Sequence, residues 1–214
     1  TPNVIQYTYM LGETARAENQ LQKAEKFFRE SIALAKPAGN QGAVGKGMAA
    51  LALIKSIRAQ HEEAINICRQ SLKILKEEQN KRDYACAELV LARIQMDLGD
   101  KDGTDKTLHS VIKYARQAQD IPMELEAVLR RILLHSRHQE PENAQKHWSS
   151  ADSLAAQVDN QRLQLLTTYA KAQFFMAQNQ YEKAKSLVNG VLNTPIPSLA
   201  RQKFTQLRSE LLAP

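Results

Sequence analysis

Glycine, proline and cysteine are scarce in this 214-residue chain, at 8, 7 and 2 residues, and aromatic side chains make up only 6%. The glycines and prolines fall at punctuation points and not in tracts, which excludes low-complexity linkers and disordered tails. Cys68 and Cys86 lie in helical segments without the paired spacing of a disulfide framework or a zinc site. They predict two buried free thiols, which mildly favours a reducing compartment. No apolar run approaches the roughly 20 residues that span a bilayer, and no basic start leads into an apolar signal region. A soluble, cytoplasmic domain without membrane insertion is expected. The start at Thr1 instead of methionine reads as the start of a piece excised from something longer, so a missing targeting signal says little about the parent.

Signs of chemistry are equally sparse. A nucleophile elbow, a phosphate-cradling glycine loop and a dinucleotide fingerprint are all missing. Glu62-Glu63 and Glu77-Glu78 sit at helix starts and ends, where charge is ordinarily solvated. His135 and His138, three apart, could share a helix face for a metal, with His147 on the adjoining helix. No Cys or suitable carboxylate stands near them, and they read as structural or surface histidines. Trp148 reads as core, because it occupies the position filled by Phe28 and Leu108 elsewhere. No catalysis, cofactor or metal is expected.

What is present is helix former: Ala, Leu, Gln, Lys, Glu and Arg dominate. The net charge of +6 is scattered along every segment and reads as solvated helix faces. Small residues Ala24, Ala64, Thr104, Ala144 and Ala184 recur every 40 residues without drift. Four residues after each comes Phe28, Cys68, Leu108, Trp148 or Val188, and three after that Ser31, Ser71, Val111, Ala151 or Val191. Turn signals share the period: Asn19-Gln20, Ala59-Gln60, Gly99-Asp100, Gln139-Glu140 and Asn179-Gln180, with a second set half a period away. Each unit is therefore two helices. The spacing predicts helices at 4–18, 21–36, 42–58, 61–78, 82–98, 101–118, 122–138, 141–157, 161–178 and 181–193, with a last one at 197–212.

The recurring small residue has a mechanical reason. Where the second helix of a unit crosses the first, a short side chain lets the backbones approach, and a larger one would cost roughly 1–3 kcal/mol. A single hairpin cannot bury its apolar face alone, so units must stack and terminal faces need covers. Ala200, Phe204, Leu207 and Leu211 form a stripe that makes 197–212 a capping helix. The other end carries Ile5, Tyr7 and Tyr9 without an obvious cover.

Leu11-Gly12, Leu21, Ala24 and Phe28 in the first unit, with Tyr181 and Ala184 in the fifth, resemble the motif of the tetratricopeptide repeat (TPR) superfamily. The resemblance covers nearly the whole chain, as one domain over 1–214 with units at 4–40, 41–80, 81–120, 121–160 and 161–194. The period exceeds the common length of about 34 and looks like the longer variant of some bacterial transcriptional activators, peptide-sensing regulators and adaptors. The motif glycine becomes Ala52, Ala92, Ile132 and Ala172 in later units.

The resemblance implies an all-α, right-handed superhelical solenoid of five hairpins plus the capping helix. It also implies recognition of a protein or peptide segment in a concave groove lined by the first helix of each unit. Carried over by position, the groove residues are Tyr9, Glu13, Lys46, Leu53, Arg93, Met96, Arg130, Leu133, Arg137, Tyr169 and Gln173, with Gln6, Ala49, Glu126 and Met176 beside them. Arg93, Arg130 and Arg137 read either as bidentate sites for an acidic or C-terminal carboxylate ligand or as solvated arginines on an exposed face. The Lys and Asn set by which some members clamp a carboxylate terminus is not reproduced.

The function expected is a non-catalytic interaction or sensor module of a larger bacterial regulatory protein. Alternatives are a dimerisation or intramolecular docking module using the first hairpin, and a small-molecule sensor for transcription regulation. A one-base-per-unit RNA reader needs polar residues at fixed positions, and Ala49, Leu89, Leu129 and Tyr169 vary without pattern, which argues against nucleic acid.

Overall fold

The computed structural model describes residues 2–212; the outermost positions of the expected domain 1–214 lie outside the described residues. Eleven helices and no strand occur among them. They are α1 (Pro2–Ala17), α2 (Leu21–Ala35), α3 (Gln41–Ile57), α4 (His61–Glu77), α5 (Lys81–Asp97), α6 (Lys101–Ala118), α7 (Ile121–Arg137), α8 (Pro141–Ala155), α9 (Gln161–Ala177), α10 (Tyr181–Leu192) and α11 (Ser198–Leu212). Every expected helix is present, with ends within two residues of the expected ones.

The reversals follow from local chemistry at a spacing of 20. Asn19, Gly39, Ala59, Gln79, Gly99, Gln119, Gln139 and Asn179 all adopt positive φ. At each, the following amide donates to the carbonyl five residues back, as Gln20 does to Ala15 at 2.8 Å and Glu140 to His135 at 2.9 Å. This is the left-handed closure that satisfies the last carbonyls of a helix. The α8–α9 link differs. No left-handed residue occurs there, and the amides of Gln157 and Val158 bond only three residues back, to Leu154 and Ala155.

First helices are capped by side chains that accept an amide from three residues on. Asn40 accepts from Ala43, Asn80 from Asp83, Asp120 from Met123 and Asn160 from Leu163, at 3.0 to 3.1 Å. Second helices α2, α4, α8 and α10 follow Gln20, Gln60, Glu140 and Gln180, none of which makes such a bond.

The chain forms two compact units, one ending at Thr107 and the other starting at Leu108 within α6. In both, the five small residues of the repeat are fully buried. In the first unit the crossings are held by polar ties as well. Ser31 Oγ donates to the Ile5 carbonyl at 3.1 Å and Ser71 Oγ to the Gly45 carbonyl at 2.7 Å. Glycine brings the helices closer still: a Cβ on Gly12 would lie 2.5 Å from the Phe28 ring, and one on Gly45 would lie 2.7 Å from Leu75.

In the second unit, α11 covers the last hairpin as expected, with Phe204, Leu207 and Leu211 buried against Ala172, Ala184 and Val188. The Arg201 guanidinium donates to the carbonyl of Leu192, the last residue of α10, and to that of Thr194 just beyond it. Trp148 is core, 5.6 Å from Phe174, with its Nε1 buried and unpaired.

Cys68 is buried and its thiol is pushed up to about 12 by burial. Cys86, expected buried, is only half-buried. Among the described residues no helix is long and apolar enough to cross a membrane.

Candidate functional site

In the first unit the expected groove residues come from α1, α3 and α5. Lys46 Nζ lies 4.6 Å above the centre of the Tyr9 ring, and that ring tilts against Phe28 at 5.4 Å. Burial, then the charge of Glu13, raises the Tyr9 hydroxyl pKa well above its ordinary value. Asp83 and Cys86 on α5 act on it in the same direction, so α5 faces the same spot. Tyr9 thus stays neutral.

The charged members are mostly engaged within the chain. Glu13 pairs with Arg16 at 2.6 Å. Arg93 Nε lies 3.9 Å from Asp97, whose carboxylate accepts Ser56 Oγ at 3.0 Å. Leu53 and Met96 are half-buried.

In the second unit α7 and α9 carry the rest. Glu126 is 7% exposed and held on α7 by Arg130 at 2.6 Å and by Arg162 of α9. Burial opposes its charge, but the two guanidinium groups overcome that and hold the carboxyl well below the usual range. Arg130 is therefore a structural counter-ion. Leu133, carried over as groove contact area, is instead 4% exposed and packs in the interior. Tyr169 lies edge-on to Phe204 of α11 at 5.7 Å.

Arg137, Gln173 and Met176 come together. With Ser136, Gln139, Ala177 and Tyr181 they line a cavity of about 270 Å³ between the ends of α7 and α9 and the start of α10. Sequence reasoning missed Ser136 and Ala177, near the ends of α7 and α9, and Gln139 and Tyr181, which enter from the turn and the next helix. Their signal was the repeat itself, since this turn recurs every 40 residues beside the groove positions.

The three histidines do not gather as a metal site. His135 stacks on His147 at 5.8 Å and its Nδ1 faces Glu140 at 2.9 Å. Among the described residues no group of three or more His, Cys, Asp or Glu stands in ligating geometry.

Comparison with known proteins agrees with the fold. The family model described as tetratricopeptide repeat matches residues 5–37, the first hairpin. The crystal structure of NprR in complex with its cognate peptide NprX superposes on 97% of this chain and 59% of that one, with TM-score 0.73 and 17% identity. The chain has a TPR-like repeat fold. The TPR-like arrangement also matches Rap protein complexed with Competence and Sporulation Factor, over 98% of this chain and 64% of that one, with TM-score 0.72 and 9% identity. A putative kinesin light chain of Podosopora anserina with nearly identical TPR-like repeats matches over 99% and 97% of the two chains, with TM-score 0.63 and 14% identity. This TPR-like chain thus spans less than two thirds of the NprR and Rap chains. No curated protein matches the sequence.

Proposed function

We propose that the chain is a non-catalytic, peptide-binding TPR-like scaffold, the interaction or sensor module of a larger bacterial regulatory protein acting in the cytoplasm. The observation that carries the reading is the cavity where Arg137, Gln173 and Met176 meet Tyr181. It offers a guanidinium, an amide and a thioether side by side, which suits a peptide segment with an acidic or terminal carboxylate and an apolar neighbour. NprR and Rap, which share the fold, were each solved with a peptide or factor bound. Tyr9 beside Lys46 would provide an aromatic anchor of the same kind in the first unit.

The test is a peptide array probed with the purified protein, followed by fluorescence anisotropy on the captured sequences. Arg137→Glu with Gln173→Ala is expected to weaken capture at least tenfold while the helical circular dichroism stays unchanged. Capture equal to the parent overturns the groove assignment. Arg130 is a poor choice for this test, because reversing its charge strands Glu126.

A second reading has its own observation. Val4, Tyr7, Met10 and Leu11 form an exposed apolar stripe on α1, at 48 to 67% exposure, whereas Val44, Ala50 and Leu51, one repeat later, are buried. A second copy of the chain docking on this stripe would give a homodimer through the N-terminal hairpin. Light scattering should then report twice 24.1 kDa, and Tyr7→Lys with Leu11→Lys should return the mass to one copy.

A further inference from the structure

The internal joints of the repeat show what a stacked helix requires, and the outer face of α1 departs from it. The position of Tyr7 holds Gly47, Ala87, Ala127 and Thr167 in the other four first helices. A Cβ on Gly47 would lie 2.7 Å from Ile32 of α2, and the Cys68 thiol donates to the Ala87 carbonyl at 3.5 Å. Ala87 and Ala127 are fully buried. Joints between repeats thus close over short side chains. Tyr7 stands 67% exposed at that position, so α1 is not shaped to take the second helix of another repeat in the same register.

The face is nevertheless apolar. Val4, Tyr7 and Leu11, spaced by three and four, form a line with Met10 beside it, and every exposed position of α1 from 3 to 14 is uncharged. The nearest charge, Glu13, is held by Arg16 at 2.6 Å. Such a surface carries nothing that repels a copy of itself. At the last helix the reverse holds: apart from Leu212 at its end, α11 exposes polar residues such as Thr205, Gln206, Arg208 and Ser209. Head-to-tail pairing would therefore set an apolar face on a polar one. Pairing of α1 with α1 matches like surfaces and closes at two copies.

The order of residues sets the direction. Tyr7 lies midway between Val4 and Leu11, so antiparallel helices place each Val4 on the partner's Leu11 and both Tyr7 side chains beside the two-fold axis. That arrangement opposes the helix dipoles and sends the exposed Glu18 of each copy to opposite ends, whereas parallel helices bring like dipole ends and both Glu18 carboxylates together. We propose that two copies of the chain pair in this way, through antiparallel α1 helices centred on Tyr7. This geometry rests on the docking of a second copy read above.

One face of one helix falls below the roughly 1,200 Å² of standard interfaces, so a dimer that dissociates in the micromolar range is expected. Sedimentation equilibrium of the full chain should show the mass rise from 24.1 kDa toward twice that value with concentration. Tyr7→Ala should weaken the association at least tenfold with unchanged circular dichroism. Cysteine cross-linking then fixes the direction, with Cys68→Val and Cys86→Ser removing the native thiols. Tyr7→Cys should link to itself, and Val4→Cys should link to Leu11→Cys in a mixture. Val4→Cys alone should not, since antiparallel packing separates the two copies of residue 4 by about 10 Å. Monomeric mass at every concentration would assign the stripe to another partner and overturn the docking and the geometry together. A dimer indifferent to Tyr7→Ala, or one in which Val4→Cys and Leu11→Cys each link to themselves, overturns the geometry alone.

Discussion

The two compact units use the same repeat differently. The first is close to regular: glycines at Gly12, Gly45 and Gly47 bring helices into tight contact, and Ser31 and Ser71 tie crossings at equivalent places. Its main charge cluster joins Lys55, Arg29 and Arg58 to Glu25, with Glu63 beside Lys55. The second unit holds larger side chains at the equivalent places, a buried Glu126 between two arginines, a reversal without a left-handed residue, and the cavity beside Arg137.

The contrast is sharpest at the two carboxylates. Glu126→Ala should cost about 3 kcal/mol in chemical denaturation, because it leaves Arg130 with its charge uncompensated. The lower end of the usual range applies, since Arg162 is 59% exposed and keeps its water. Glu25→Ala should cost less, about 1 kcal/mol, because the buried Lys55 keeps Glu63 at 3.1 Å and Arg29 is 56% exposed. Equal costs would remove the distinction.

Both carboxyls sit below their ordinary value of 4.5 in the folded state: burial opposes this in each, and the arginines and, for Glu25, Lys55 outweigh it. Their stabilisation is therefore complete at neutral pH and fades as pH falls below about 4.5 toward the folded values. Denaturation midpoints measured down that range should converge for the parent and Glu126→Ala.

Gly45→Ala probes the tight joints of the first unit. Its Cβ must displace Leu75, at an expected cost of about 2 kcal/mol; a neutral effect in thermal melts would show that the joint is loose. Asn160→Ala and Asn40→Ala remove equivalent caps, each worth about 1 kcal/mol. The loss at Asn160 should be the larger, because the link before it lacks the carbonyl closure found at Asn40. Smallest is Ala59→Gly, which relieves a left-handed alanine and should stabilise by about 0.5 kcal/mol.

The helices and their joints were readable from sequence because they depend on short-range rules. Short polar pairs such as Asn19-Gln20 and Gln139-Glu140 mark reversals, and small residues at a fixed period mark crossings, so Ala24 through Ala184 were placed without reference to anything distant. Site residues were readable only by position. Which groove side chains face outward depends on neighbouring units, and this is why Leu133 turned inward. The i,i+4 spacing of Glu126 and Arg130 signalled their pairing, whereas Arg162, 36 residues beyond Glu126, gave no such sign. Gln139 and Tyr181 were missed because carry-over considered first helices alone, and the cavity closes with a turn and a second helix.

The left-handed closures spaced twenty apart also bear on how the molecule is made. Each depends on residues within five positions of one another, and the serine ties of the first unit reach back only 26. A growing polypeptide can therefore complete each hairpin soon after its second helix is synthesised, without waiting for distant sequence. Such short-range assembly lowers the entropy lost before contacts form, and it predicts fast, stepwise acquisition of helix during translation.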